Sequence, residues 1–167
     1  HAGGVPLGRH ADPGGGVMAD LTHPKVYASW ETRGYWEGAA RGELVLQRCR
    51  ACSTFQHKPR GVCATCLSGD IEHVVASGRG TVYTFTVTHQ NQVPPFAAAC
   101  PYVMAYVQTE EGPRILTHIV GCDPDDVRIG MAVVVDFQPQ ERTDGGAHRL
   151  RLAAEVAGGV VEHGVAT

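Results

Sequence analysis

The sequence predicts a mainly β protein. A metal-binding cysteine hairpin is followed by a small antiparallel barrel or sandwich and preceded by a short helical hairpin. Three observations carry this prediction. Cys49, Cys52, Cys63 and Cys66 form two CxxC pairs with ten residues between them. From residue 71 onward, five or six short strand-like runs follow one another without any helical period. Ahead of the cysteines, Tyr27, Trp30, Tyr35 and Trp36 crowd between residues that start and stop helices.

Residues 1–20 are rich in Gly and Pro, with Gly14, Gly15 and Gly16 at their centre, and read as a tail or linker. The chain opens on His1, and Met18 precedes the first structured stretch. Residues 1–17 therefore read either as an expression tag or as the link to an upstream domain. Thr22 can cap a helix and Pro24 suits its first turn. That helix runs through Val26, Tyr27 and Trp30 and breaks at Gly34, giving the first arm of the hairpin assigned to 21–42. A second helix over 35–41 stops at Gly42, where the left-handed conformation costs glycine little. Trp30, Tyr35 and Trp36 form either an adhesive face for another surface or core packing within the chain.

A ribbon is expected over 43–70, with Leu44, Val45 and Leu46 as the strand that delivers Cys49. The barrel is expected over 71–157. Its strands are predicted at 71–76, 81–88, 102–109, 114–120, 131–137 and 149–155. Over 81–88 the alternation places Tyr83, Phe85 and Val87 on one face and Thr84, Thr86 and Thr88 on the other. Turns fall at Gly78, Pro94-Pro95, Gly112-Pro113 and Asp123-Pro124, and Asp144-Gly145 suits a hairpin tip. Residues 158–167 read as a second tail.

Each CxxC sets two thiolates on one tight turn. Two such turns offer four soft ligands to one tetrahedral ion, at about 2.3 Å from the metal. Zinc is the favoured ion, and iron shares the geometry. A closed four-sulfur shell has no open position, so the expected role is structural, contributing on the order of 10 kcal/mol to folding. Disulfides do not suit a cytoplasmic chain, and no α/β pattern accompanies the CxxC pairs as a thioredoxin-like site would require.

The chain has 167 residues, 43% hydrophobic and 19% charged, which is the composition of a globular protein. No apolar run approaches the roughly 18 residues needed to cross a bilayer, and the first residues lack a secretory pattern. The expectation is a cytoplasmic protein without a membrane partner. A formal charge of −3 argues against nucleic acid, whose phosphates call for a basic excess. Arg41, Arg48, Arg50, Lys58 and Arg60 nonetheless fall in one stretch holding a single acid, Glu43. They form either a solvated face or a phosphate contact. Cys100 and Cys122 read as small apolar residues, and His89 and His118 as satisfied polar ones. No nucleotide-binding loop, GxSxG or paired-carboxylate motif is present, and no catalytic residue is assigned.

Several short segments together resemble a known family. They are Tyr35-Trp36-Glu37-Gly38, Gly42-Glu43-Leu44, Gln47-Arg48-Cys49, Pro59-Arg60, Gly80-Thr81-Val82-Tyr83, Pro101-Tyr102-Val103 and Asp126-Val127-Arg128-Ile129-Gly130-Met131. Their order, around the four cysteines, is similar to that of the domain-of-unknown-function-thirty-five family over about 24–156. Ala64 stands where members often carry Pro after the third cysteine. The resemblance implies a helical hairpin, a rubredoxin-like zinc ribbon and an OB-fold. It also implies a non-catalytic subunit that docks on a thiolase-like enzyme and shapes its acyl-CoA channel. The reaction it implies is retro-aldol cleavage or thiolysis of a coenzyme A thioester, in steroid side-chain degradation. In that setting Trp30, Tyr35 and Trp36 would dock on the partner, and Arg48 and Arg60 would meet the CoA phosphates. Phe96, after Pro94-Pro95, would line the acyl channel. Two rival readings are an OB-fold that binds single-stranded nucleic acid, stacking bases on Tyr83, Phe85, Tyr102 and Tyr106, and a rubredoxin-type electron carrier.

Overall fold

The structure, a computed structural model, describes residues 28–94, 96–140 and 149–156. The expected tails at 1–20 and 158–167, the helix start at Thr22 and the hairpin tip at Asp144-Gly145 lie outside the described residues.

Among the described residues, one α-helix, α1 (Arg33–Ala40), precedes the sheets. Residues 30–32 form a turn, so the expected first arm does not reach Gly34, and Gly34 lies inside α1 rather than ending a helix. The reason is packing. A Cβ at Gly34 would stand 2.7 Å from the His73 ring, so glycine here permits a close approach to the sheet. Gly38 serves the same purpose against Val45. Gly42 ends the helical segment with φ of 76°, as its position predicts.

The ribbon sheet contains β1 (Val45–Cys49), β2 (Phe55–Gln56) and β3 (Ile71–Val75) in the antiparallel order β2-β1-β3. Five further strands close into a barrel: β4 (Arg79–Thr88), β5 (Tyr102–Thr109), β6 (Arg114–Val120), β7 (Ala132–Gln140) and β8 (Arg149–Val156). Around the barrel the order is β4-β5-β6-β8-β7, with only the β6–β8 seam parallel. Closure selects the barrel over the sandwich. Its interior is filled by Val82, Val103, Ala105, Val107, Ile119, Val127 and Val133, with Phe85 and Val87 packed against them.

Tyr83 corrects the alternation expected for 81–88. The register on β5 shifts between Val82 and Thr84, so Tyr83 is the extra residue of a bulge. Val82, Phe85 and Val87 therefore face inward, and Tyr83 is 47% exposed.

Ribbon and barrel share a core. Leu44 and Leu46 from the ribbon are buried with Ile115 of β6, and Tyr35, Val135 and Phe137 pack around them. The link between the modules is held at each residue. Ala76 donates to the Leu44 carbonyl (2.8 Å), Ser77 to the Glu111 carboxylate (2.6 Å), and the Gly78 carbonyl accepts from Val135 (2.7 Å).

Candidate metal centre

β1 ends on Cys49 and its chain turns at once, returning through β2. Ser53 N–H donates to the Cys49 carbonyl at 2.8 Å, and Cys49 N–H donates to the Thr54 carbonyl at 2.9 Å. The second pair repeats this pattern. Leu67 N–H donates to the Cys63 carbonyl at 3.1 Å, and Cys63 N–H to the Ser68 carbonyl at 2.8 Å. Ser53 and Leu67 both adopt left-handed backbone, with φ of 61° and 62°, which folds each turn back under its sulfurs. Thus two sequence-distant loops present nearly the same knuckle.

All four cysteine sulfurs lie within 4.8 Å of one another. Cys49 and Cys66 stand 3.6 Å apart, as do Cys52 and Cys63. Tetrahedral thiolate coordination with bonds of about 2.3 Å requires sulfur separations of about 3.8 Å. The residues fit a four-coordinate zinc or iron ion. Cys49 and Cys63 are buried, whereas Cys52 and Cys66 form the outer rim.

The electrostatics follow from four sulfurs sharing one small volume. Hydrogen bonding to the Thr54 side chain and amide brings Cys52 down to about 6. Cys63 is also lowered, by the Cys66 and Thr65 amides. Cys66 receives the Ser68 amide, which favours its thiolate, yet the Cys52 and Cys49 sulfurs push it up to about 12. Four thiolates this close need a cation among them.

A buried glutamine pair ties the metal loops to the strands. Gln56 Nε2 donates to Gln47 Oε1 at 2.8 Å, and Gln47 Oε1 also accepts from Arg60 N–H at 2.8 Å. Gln56 Oε1 accepts from Ala64 N–H at 2.9 Å, within the second knuckle. Sequence reasoning assigned no role to either glutamine. The available signal was that Gln47 sits in the apolar strand that ends on Cys49; nothing local marked Gln56.

The basic stretch is largely neutralised. β3 pairs Glu72 directly opposite Arg48, and Glu72 takes Arg50 at 3.0 Å and Arg48 at 3.8 Å. The Arg48 guanidinium also lies 5.7 Å from the centre of the Phe55 ring. Arg41 is held by Glu43 at 2.9 Å. Arg48 thus shares Glu72 with Arg50 while its side chain stays 43% exposed. Lys58 and Arg60 are exposed and form no ion pair among the described residues.

The aromatic residues divide. Trp30 is 71% exposed, and its indole rests on Gly61, where a Cβ would stand 2.5 Å from it. Trp36 is half-buried and meets Tyr35 edge-on at 5.0 Å. Tyr35 is half-buried, packing on the shared core and 5.6 Å from His57. Burial pushes its hydroxyl up to about 12. Phe96 opens a short 3₁₀ turn (Phe96–Ala99) and packs 6.4 Å from Tyr102 in a small cluster with Ala99 and Met104. The stacking set of the nucleic-acid rival is broken up, because Phe85 points into the barrel and Tyr102 is buried.

Comparison with known proteins places these modules. Residues 36–72 match the model of the ChsH2 rubredoxin-like zinc ribbon domain, and 73–138 that of the ChsH2 C-terminal OB-fold domain. A probable enoyl-CoA hydratase alpha subunit of Thermomonospora curvata is 44% identical over 103 residues, which are 62% of this chain and 32% of that protein. The 3-oxo-4,17-pregnadiene-20-carboxyl-CoA hydratase alpha subunit of Mycobacterium tuberculosis is 40% identical over 66% of this chain and 35% of its own length. The chain thus spans about a third of these curated relatives. Among solved structures, a chain of the Ltp2-ChsH2(DUF35) aldolase superposes with a TM-score of 0.68. It is 35% identical, and the match covers 80% of this chain and 99% of that one. With a matching ribbon, a matching OB-fold and that near-complete overlap, the chain belongs to the DUF35 family.

Proposed function

We propose that this chain is the non-catalytic partner of a thiolase-type enzyme that cleaves a carbon–carbon bond in an acyl-CoA. The observation that carries the reading is the 35% identity across 99% of the DUF35 chain of an aldolase complex. The metal centre agrees with it. Four cysteines that close a tetrahedral shell leave no position for water or substrate, so a zinc ion held by Cys49, Cys52, Cys63 and Cys66 supplies architecture.

Retro-aldol cleavage takes a proton from a β-hydroxyl, moves the C–C bonding pair onto the thioester as an enolate, and returns a proton to the α-carbon. It needs a base and preorganised donors at the thioester oxygen. In this reading those groups sit on the larger subunit, and thiolysis is the alternative reaction of the complex. This chain contributes surfaces: Trp30 and Trp36 as docking residues, and Arg60 with Lys58 as cations for the CoA phosphates. Phe96 borders the acyl channel. The pregnadiene-carboxyl-CoA hydratase relative supports a steroid side-chain substrate. The domain division that accompanies the reading is ribbon from residue 43 through β3, which the sequence assigned to the barrel but which pairs with β1 along its whole length, and OB-fold from β4 onward.

The test is reconstitution. Purified chain alone is expected to leave acyl-CoA thioesters intact, and turnover is expected only with a co-expressed thiolase-type subunit. Cleavage by the chain alone would overturn the proposal.

A further inference from the structure

The three barrel strands β4, β5 and β6 contain no Asp or Glu, and Arg79 and Arg114 are their only Arg or Lys residues. The chain as a whole carries 17 acids in 167 residues, so a whole sheet face without one is a departure. Facing away from the barrel, Tyr106 pairs directly with Leu116 across the β5–β6 ladder. Tyr106 is 46% exposed and Leu116 49% exposed. The Val82–Thr84 bulge adds Tyr83 to the same outer face. Its ring lies 3.5 Å beneath the Arg114 guanidinium, whose Nε donates to Gln108 at 3.0 Å. Arg114 forms no ion pair among the described residues.

Such a face, depleted of charge and rich in tyrosine, with one stacked arginine, has the composition of a protein interface core. A nucleic acid does not fit it. A phosphate chain needs several cations along its path, and Arg79 and Arg114 stand near the same end of the sheet, where β4 begins and β6 begins. Arg114, already oriented by stacking, instead fits one carboxylate at the edge of an apolar patch.

We infer that the outer face of β4–β5–β6 is a docking surface for a protein subunit. Its occupant presents apolar side chains to Tyr106 and Leu116 and a carboxylate to Arg114. Resting on the function proposed above, that occupant is the thiolase-type subunit. The bulge then has a purpose: it keeps Val82 and Phe85 both inward while Tyr83 stays on the outer face as the platform of Arg114.

The test places photoreactive benzoylphenylalanine at Tyr106 of the full chain, co-expressed with the thiolase-type subunit, and sequences the cross-linked peptide. A thiolase-subunit peptide carrying an acid is expected. Arg114→Glu is expected to weaken the complex at least tenfold with an unchanged melting temperature, and Arg114→Lys to recover part of the loss. If an active complex forms but Tyr106 cross-links nothing, or cross-links a second copy or nucleic acid, the surface is overturned and the function stands. If no thiolase-type subunit joins, the function fails. The surface, which names that subunit as its occupant, falls with it.

Discussion

Gln56 and Gln47 are buried side by side, 2.8 Å apart, and between them they satisfy the amide of Ala64 in one metal loop and of Arg60 on the approach to it. Removing one partner leaves buried polar groups without a mate, which costs about 1–3 kcal/mol. Gln56→Ala is therefore expected to lower the melting temperature and to speed metal loss to a competing chelator. An unchanged release rate would show that the knuckles hold without this pair.

Metal removal is the second case. The purified protein is expected to hold one equivalent of zinc by mass spectrometry. Stripping it is expected to unfold the ribbon, because binding energy on the order of 10 kcal/mol is folding energy in a module this small. Cys63→Ser and Cys52→Ser should each lose the ion, the first with the larger stability loss, since Cys63 is buried and Cys52 is on the rim. Full zinc occupancy in Cys63→Ser would contradict the site.

Tyr35 sets an alkaline limit. Its hydroxyl, held protonated by burial, titrates at about 12 rather than 10. A raised pKa means full stabilisation below pH 10 and progressive loss as pH climbs from 10 through 12, about 2–3 kcal/mol in all. Tyr35→Phe is expected to flatten the melting temperature over that window. An equally steep fall in the variant would place the titration elsewhere.

The core between the modules can be tested at Ile115, 3% exposed and packed on Leu44 and Leu46. Ile115→Ala is expected to cost about 2–5 kcal/mol. Because the contact spans both modules, hydrogen exchange should rise in β1 as well as in β6. Exchange confined to β6 would show the ribbon standing alone.

Gly61→Ala is expected to displace the Trp30 indole, since the added methyl would stand 2.5 Å from it. Binding to the thiolase-type subunit should weaken by an amount approaching that of Trp30→Ala, about 2 kcal/mol for an anchor residue. Calorimetry that finds equal affinity would remove Trp30 from the interface.

Much of this was legible in the chain. β5 and β6 begin and end where period-two alternation and flanking turns place them, and the CxxC spacing foretold the sulfur cluster. What escaped reading depends on pairing across the chain. The bulge at Tyr83 exists only relative to β5. Arg48 gains Glu72, 24 residues away, as an ion-pair partner through the β1–β3 register. β2 is two residues long, too short for any period to register. Gly34 looked like a helix stop because glycine usually is one, but here it makes room for His73.

β8 seals both seams of the barrel, parallel to β6 and antiparallel to β7. A ribosome emits this chain from the other end. The ribbon, complete at Val75, can take up its ion while the barrel still lacks its final stave. Until residue 156 emerges, β6 and β7 each keep an unpaired flank. During synthesis, the metal-bearing half is then the finished anchor on which the unfinished half waits.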